Sequence, residues 1–241
     1  MSTNSSFSEP SCAAAVILIS ANAEWKAVTM HYRHPACQRT PFGEYFLLPE
    51  VSSTVILMQG GWGKVAAAAS AQHAIDRWQP PLIVNLGTCG GFAGAVARGA
   101  VLLIEETLIY DIVEQMGDAQ EAIRHYATSI DLSWLHKPYP QTVQRARLIS
   151  ADRDIVPADI PNLRATYHAI ASDWESGAIA WVAARNALHC LILRAVSDLV
   201  DEQTGEVYGD LAAFEQRTQE VMDGLLEHLP AWLKLAGVSA S

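Results

Sequence analysis

The sequence has no CxxC pair: its four cysteines, Cys12, Cys37, Cys89 and Cys190, stand far apart. Two of them lie inside apolar runs, where a thiol behaves as a small hydrophobe, so all are read as reduced and unpaired, and no metal or cofactor site is expected. A basic run is also missing. Lys and Arg number 16 against 26 Asp and Glu, a formal net charge of -10. That balance leaves nothing to neutralise a phosphate backbone and excludes a general nucleic-acid binder. No apolar stretch approaches the ~18 residues of a membrane span. Met1 to Pro10 carries none of the positive charge that opens a signal peptide, so the expected location is the cytoplasm, with no membrane partner.

What is present is a chain of 241 residues, half of them hydrophobic, enough for a sizeable core. With no linker and no internal repeat, the expectation is one domain over 13–238 behind a polar, disordered tail, 1–12. Ala13–Ile19 is a continuous apolar run of strand length, followed by a helix Ala23–His31 with Asn22 as cap and Glu24 in its first turn. Glu44–Leu48 and Thr54–Met58 read as an antiparallel pair around a Pro-Glu-Val-Ser-Ser turn. Gly60-Gly61-Trp62-Gly63-Lys64 then opens a helix Val65–Trp78. It resembles a phosphate loop only superficially, because Val65 stands where the magnesium-binding Ser or Thr should be, and Lys64 is assigned to the surface.

Leu82–Leu86 is a short buried strand running into Gly87-Thr88-Cys89-Gly90-Gly91-Phe92, read as a loop whose glycines let backbone N–H groups approach a ligand. Ala100–Val113 is expected to be a long strand, and residues 114–140 an excursion over the active-site face. Thr142–Ser150 and Thr166–Ala171 are strands by alternation, joined through Ala151-Asp152-Arg153-Asp154. A helix Ser176–Asn186, a strand His189–Val196 and a final helix Leu211–Leu229, which Pro230 ends or kinks, complete the pattern. The fold class is α/β, a single domain with a central mixed β-sheet flanked by helices on both faces.

Within this order the stretch from Ser172 to Asp198 sets Glu175 at the mouth of a helix and Asp198 at the end of the next strand. Open α/β sheets bind ligands beyond those strand ends. By themselves two acids so placed could equally cap helices. Three stretches together resemble the nucleoside phosphorylase superfamily: Gly61-Trp62-Gly63-Lys64-Val65-Ala66-Ala67, Asn85-Leu86-Gly87-Thr88-Cys89-Gly90-Gly91, and Asp173-Trp174-Glu175 followed by Arg194-Ala195-Val196-Ser197-Asp198. Inside it the chain is most similar to the 5′-methylthioadenosine/S-adenosylhomocysteine nucleosidases, which cleave the N-glycosidic bond with water.

The resemblance implies a purine nucleoside, adenine-type and 5′-thio-substituted, as the small-molecule partner, with no cofactor. It implies a homo-oligomer with a dimer favoured, and a place in purine nucleoside metabolism and methionine salvage. Asp198 resembles the acid that protonates the purine, oriented by Ser197, and Glu175 the carboxylate that binds the ribose hydroxyls. Trp174 takes a Met position under the sugar beside Asp173. Thr88, Cys89 and Gly90 line the ribose and base, and Tyr208 covers the ribose and its 5′ group. Glu24 is assigned the water-activating role from one position early, with Trp25 at the family's place; one residue is about 100° of helical rotation, so the backbone must shift.

Asp154 replaces the family's base-stacking Phe, beside Ile155, whose backbone can meet the base edge. Two readings of Asp154 stay open: a solvated Asp-Arg-Asp turn, or a carboxylate that accepts from a donor on the base. Asn85 stands where phosphorylases carry a phosphate-binding Arg, which favours water as nucleophile. A phosphorylase using Lys64 or Arg39, and a silent nucleoside-binding relative, are the alternatives.

Overall fold

The computed structural model describes residues 10–49, 51 and 53–238. Of the expected tail only Pro10, Ser11 and Cys12 are among them, in neither helix nor strand, and Glu50 and Ser52 of the hairpin turn lie outside the described residues. β1 (Ala15–Ile19) is apolar and buried at every position, so it requires cover on both faces. Val16 and Leu18 pack with Ala67, Ala71 and Trp78 of α2 (Lys64–Trp78) and Ile179 and Val182 of α5 (Ser176–Arg185). Ile17 and Ile19 pack with Ala27 and Val28 of α1 (Asn22–His31) and Met222, Leu225 and Leu229 of α6 (Leu211–Leu235). The two helical layers follow from the period-2 alternation of one strand.

β1 lies between β4 (Val55–Gln59) and β5 (Leu82–Phe92), parallel to both, and β3 (Glu44–Leu47) and β2 (Gln38–Arg39) extend the β4 edge antiparallel. On the other side β5 pairs with β10 (His189–Val200), β10 with β6 (Val101–Ile109), β6 with β8 (Gln144–Ser150), β8 with β9 (Ala171–Asp173), and β9 again with β5. The mixed sheet therefore closes on itself over these strands, while α3 (Ala119–His125) and β7 (Thr128–Ser129) flank β6.

Several expectations are corrected. Gly87 to Phe92 is strand, not loop, because β10 pairs with it along its length and β9 pairs with Gly90 and Gly91. Glycine is needed at Gly87 for a neighbour rather than a turn: a Cβ there would stand 1.8 Å from Arg194 Nη1. Thr166 and Tyr167 are helical. A turn of 3₁₀-helix, Pro157–Asp159, leads into α4 (Ile160–Tyr167), with Pro157 and Pro161 in first-turn positions where the missing N–H costs nothing, and only Ala171–Asp173 is strand. Residues 114–140 do not cover the cavity described below; Ile130, Leu132 and Leu135 are buried in the main core instead. α6 passes through Pro230, since full burial of Leu229, Trp232 and Leu233 outweighs the lost backbone hydrogen bond. Asn22 is the first residue of α1 rather than its cap, and its Oδ1 accepts from Gln59 Nε2 at 3.0 Å.

Candidate active site

Arg194 stands in the middle of an otherwise apolar strand and is fully buried. A buried guanidinium persists only when it is paired. Its Nη2 lies 2.8 Å from Asp173 Oδ2 and 3.9 Å from Glu175 Oε2, and its Nη1 lies 3.6 Å from Glu24 Oε1. It also donates to Ser176 Oγ at 2.9 Å and to Asn85 Oδ1 at 2.7 Å. Burial opposes its charge, but Asp173, Glu24 and Glu175 outweigh that and raise its pKa. Asn85 thus grips an internal arginine, and its side-chain amide donates to Leu18 O at 3.0 Å.

Three segments bring their carboxylates to this arginine. Glu24 projects from the first turn of α1, where Oε2 accepts from Ala21 N at 3.1 Å and Oε1 accepts from Thr88 N at 2.6 Å and Thr88 Oγ1 at 3.0 Å. Early by sequence, it nevertheless points into the cavity, and Trp25 turns into the core against Phe46. Both oxygens of Asp173 are engaged internally: Oδ1 accepts from Ser150 Oγ at 2.5 Å and Oδ2 from Ser176 N at 3.0 Å. Glu175, buried ahead of α5, accepts from Gly63 N at 3.0 Å. Its pKa is pushed up to about 8, first by burial and next by Asp173, against the opposing pull of Arg194.

At the other end stands Asp198. The β5–β10 register slips between Val196 and Asp198, leaving Ser197 as the extra residue of a bulge, a device that re-aims side chains beside sites. Ser197 Oγ donates to Asp198 Oδ1 at 2.6 Å and lies 3.4 Å from Cys89 O. Burial raises the pKa of Asp198; the Ser197 bond opposes this, and the charges of Glu206 and Asp154 add to it. A Cβ on Gly90 would lie 2.8 Å from Ile155 Cδ1 and 3.9 Å from Asp198 Oδ2, so these side chains meet over Gly90. Tyr208 donates its hydroxyl to Ile155 O at 2.6 Å, which fills one of the backbone groups expected to meet the base. The Cys89 thiol is raised by burial and cannot serve as a thiolate nucleophile.

One cavity of about 740 Å³ is lined by the residues the resemblance assigns to the site, Glu24, Thr88, Cys89, Gly90, Asp154, Ile155, Asp173, Trp174, Glu175, Ser197, Asp198 and Tyr208. Thr88, the anchor of Glu24, and Gly90, the register partner of Asp198, are two residues apart on β5, about 7 Å at ~3.3 Å per residue. Arg153 pairs with Asp159 at 2.8 Å, which leaves Asp154 at the cavity with no hydrogen bond or ion pair among the described residues. Asp152, Arg153 and Asp154 are all exposed, so the turn is solvated, and Asp154 also borders the cavity.

Sequence reasoning gave no site role to Arg194, Trp62, Leu211 or Phe214. Arg194 was detectable as a charge inside a strand that must be buried. Trp62 stacks on Trp174, centroids 5.5 Å apart and planes within 8°, and both line the cavity with Leu211 and Phe214 of α6. Nothing in their local sequence distinguishes Leu211 and Phe214 from packing residues. Among the described residues no group of three or more His, Cys, Asp and Glu is disposed to hold a metal ion.

A family model described as the phosphorylase superfamily matches residues 15–229. A 5′-methylthioadenosine/S-adenosylhomocysteine nucleosidase of Listeria welshimeri is 30% identical over 181 residues, 67% of this chain and 76% of that protein. One of the same name from Listeria monocytogenes is 27% identical over 177 residues, 67% of this chain and 76% of that protein. Among solved structures, the apo 5′-methylthioadenosine nucleosidase of Arabidopsis thaliana superposes with a TM-score of 0.76 at 19% identity, covering 95% of this chain and 97% of that one. It shares the fold.

Proposed function

We propose, from the premise that this chain belongs to the phosphorylase superfamily, that it hydrolyses the N-glycosidic bond of a purine nucleoside of adenine type to free base and free sugar. The observation that carries water over phosphate is the state of the cations. Among the described residues the cations near the cavity are engaged: Arg194 by three carboxylates, Arg153 by Asp159, and Lys64 by Asp111 and Asp152. Arg39 stands on β2 at the edge of the sheet, away from the cavity lining. A phosphate dianion entering among Glu24, Glu175 and Asp198 would find carboxylates and no free guanidinium.

The residues divide the chemistry. As the bond breaks, positive charge grows on the sugar and negative charge on the base. Asp198, whose pKa burial raises, gives its proton to the departing base. Glu175 holds the ribose hydroxyls, and its charged form is favoured as the sugar becomes cationic, so it binds the transition state better than the ground state. Glu24, fixed by Thr88 and Ala21, takes a proton from the water whose oxygen bonds to the sugar carbon. The sum is addition of one water.

The 5′ group is read as a thioether, from the names of the relatives and the apolar Trp62, Trp174, Leu211 and Phe214 surfaces; methionine salvage then follows as the role. A homodimer is favoured by Trp62, Val65, Val113 and Met116, all exposed and flanking the Lys64–Asp111 pair. The cytoplasm is the proposed location, supported by four free thiols, two of them deep in the core. The test of the activity is base release from 5′-methylthioadenosine with and without phosphate. Adenine and free sugar are expected in both; a ribose 1-phosphate product formed only with phosphate overturns hydrolysis.

A further inference from the structure

The Gly60–Lys64 segment resembled a phosphate loop and is none, yet its atoms are tied down more heavily than a surface turn requires. Gly63, in the left-handed region at φ +84°, donates its N–H to Glu175 Oε1 at 3.0 Å. The next N–H, of Lys64, goes to Asp152 Oδ1 at 2.7 Å. The Lys64 ammonium, mostly buried, bonds Asp111 and lies 3.6 Å from Asp152 Oδ2, while Asp152 N donates to Asp111 Oδ2 at 3.0 Å. One lysine thus joins the end of β6, the segment after β8 that carries Asp154 and Ile155, and the loop that holds Glu175. A lysine directed into solvent would make neither of its two carboxylate contacts.

We propose that Lys64 is a positioning residue that sets the ribose carboxylate Glu175 and the base-side segment Asp152 to Ile155 at a fixed separation. Neither Lys64 nor Asp111 lines the cavity, so any effect must pass through Gly63 and Asp152. An ammonium shared by two aspartates is suited to this, because removing it leaves two carboxylates that repel and drive their segments apart. The functional part of the proposal rests on the nucleoside hydrolysis argued above, whereas the clamp stands by itself.

The experiment compares wild type with Lys64→Met, Lys64→Arg and Asp111→Asn. Asp111→Asn leaves Asp152 to neutralise the lysine and keeps the question open to test should Lys64→Met fail to fold. Hydrogen exchange should show the amides of Gly63, Lys64 and Asp152 losing at least about tenfold in protection while α5 keeps its own. On 5′-methylthioadenosine, kcat should fall about 10- to 100-fold with KM changing much less, since about 1 Å of misplacement costs on that order. Lys64→Arg should recover part of it. In a double-mutant cycle the loss from Lys64→Met should shrink in a Glu175→Gln background. Unchanged protection, unchanged kcat, or losses that simply add to those of Glu175→Gln each overturn the proposal. A wild type inert on nucleosides removes the activity alone, and amide protection then decides the clamp.

Discussion

At one end of the cavity Glu24, Asp173 and Glu175 surround a fully buried Arg194, whereas at the other Asp154 stands exposed with no hydrogen bond or ion pair among the described residues and Tyr208 is 41% exposed. The first region is built so that no member can change alone: each of its carboxylates accepts at least one N–H or hydroxyl bond from another part of the chain, and desolvated charges tolerate no vacancy. The second is held by the Ser197 bond, the Tyr208 hydroxyl and the packing of Ile155, and its outer residues meet solvent. An aromatic ring can therefore be exchanged for a carboxylate at Asp154 without disturbing the fold. Under the proposed function, the difference would separate the groups that carry the reaction from those that choose the base.

The contrast is tested most severely by Asp198→Asn, which keeps shape and removes the proton. Turnover should drop ~10²–10⁴-fold with melting temperature little changed; near-normal kcat would make Asp198 a structural residue. Arg194→Met should do the reverse and act on the fold, destabilising by ~3–5 kcal/mol because buried carboxylates lose their counter-ion. Urea unfolding measures it, and a loss below about 0.5 kcal/mol, as at an ordinary surface site, would erase the distinction between the two ends.

A smaller effect is expected from Asp154→Phe. Stacking on a nucleobase is worth ~1–3 kcal/mol, so kcat/KM for adenine nucleosides should rise about tenfold over wild type, with stability unchanged. An unchanged kcat/KM would remove Asp154 from contact with the base. The smallest effect is electrostatic. Burial is the main reason that the Asp198 pKa is raised, and the charge of Asp154 adds to it. Removing that charge in Asp154→Asn makes ionised Asp198 easier to form and lowers its pKa. Because the protonated acid is the active form, the alkaline limb of the kcat/KM profile should move to lower pH. A limb that stays in place separates Asp154 from Asp198.

Much of the site was legible because its residues sit in short motifs with strong local signals. Glu175 precedes a helix, Asp198 closes an apolar strand, and Asn85 stands at a place where the phosphorylases carry an arginine. Other parts were not legible. Gly87 to Gly91 looked like a turn because glycine usually permits one, while here Gly87 makes room for a guanidinium that arrives from a strand more than a hundred residues later. Thr166 looked like strand by alternation, yet two prolines start helical turns before it and a helix of only eight residues carries too little periodicity to announce itself.

Sequence by itself determined the α/β class and the two-sided burial of β1, because alternation and apolar runs are local properties of the chain, whereas the acids were marked out by likeness to a family. Tertiary structure alone decided that Glu24 turns inward, that Asp173 pairs with Arg194 through Oδ2, that Lys64 is clamped, and that Asp154 has no hydrogen bond or ion pair among the described residues. Each of these depends on side chains contributed by separate elements, and a charge buried among them has its orientation set by whichever groups surround it rather than by its neighbours in the chain.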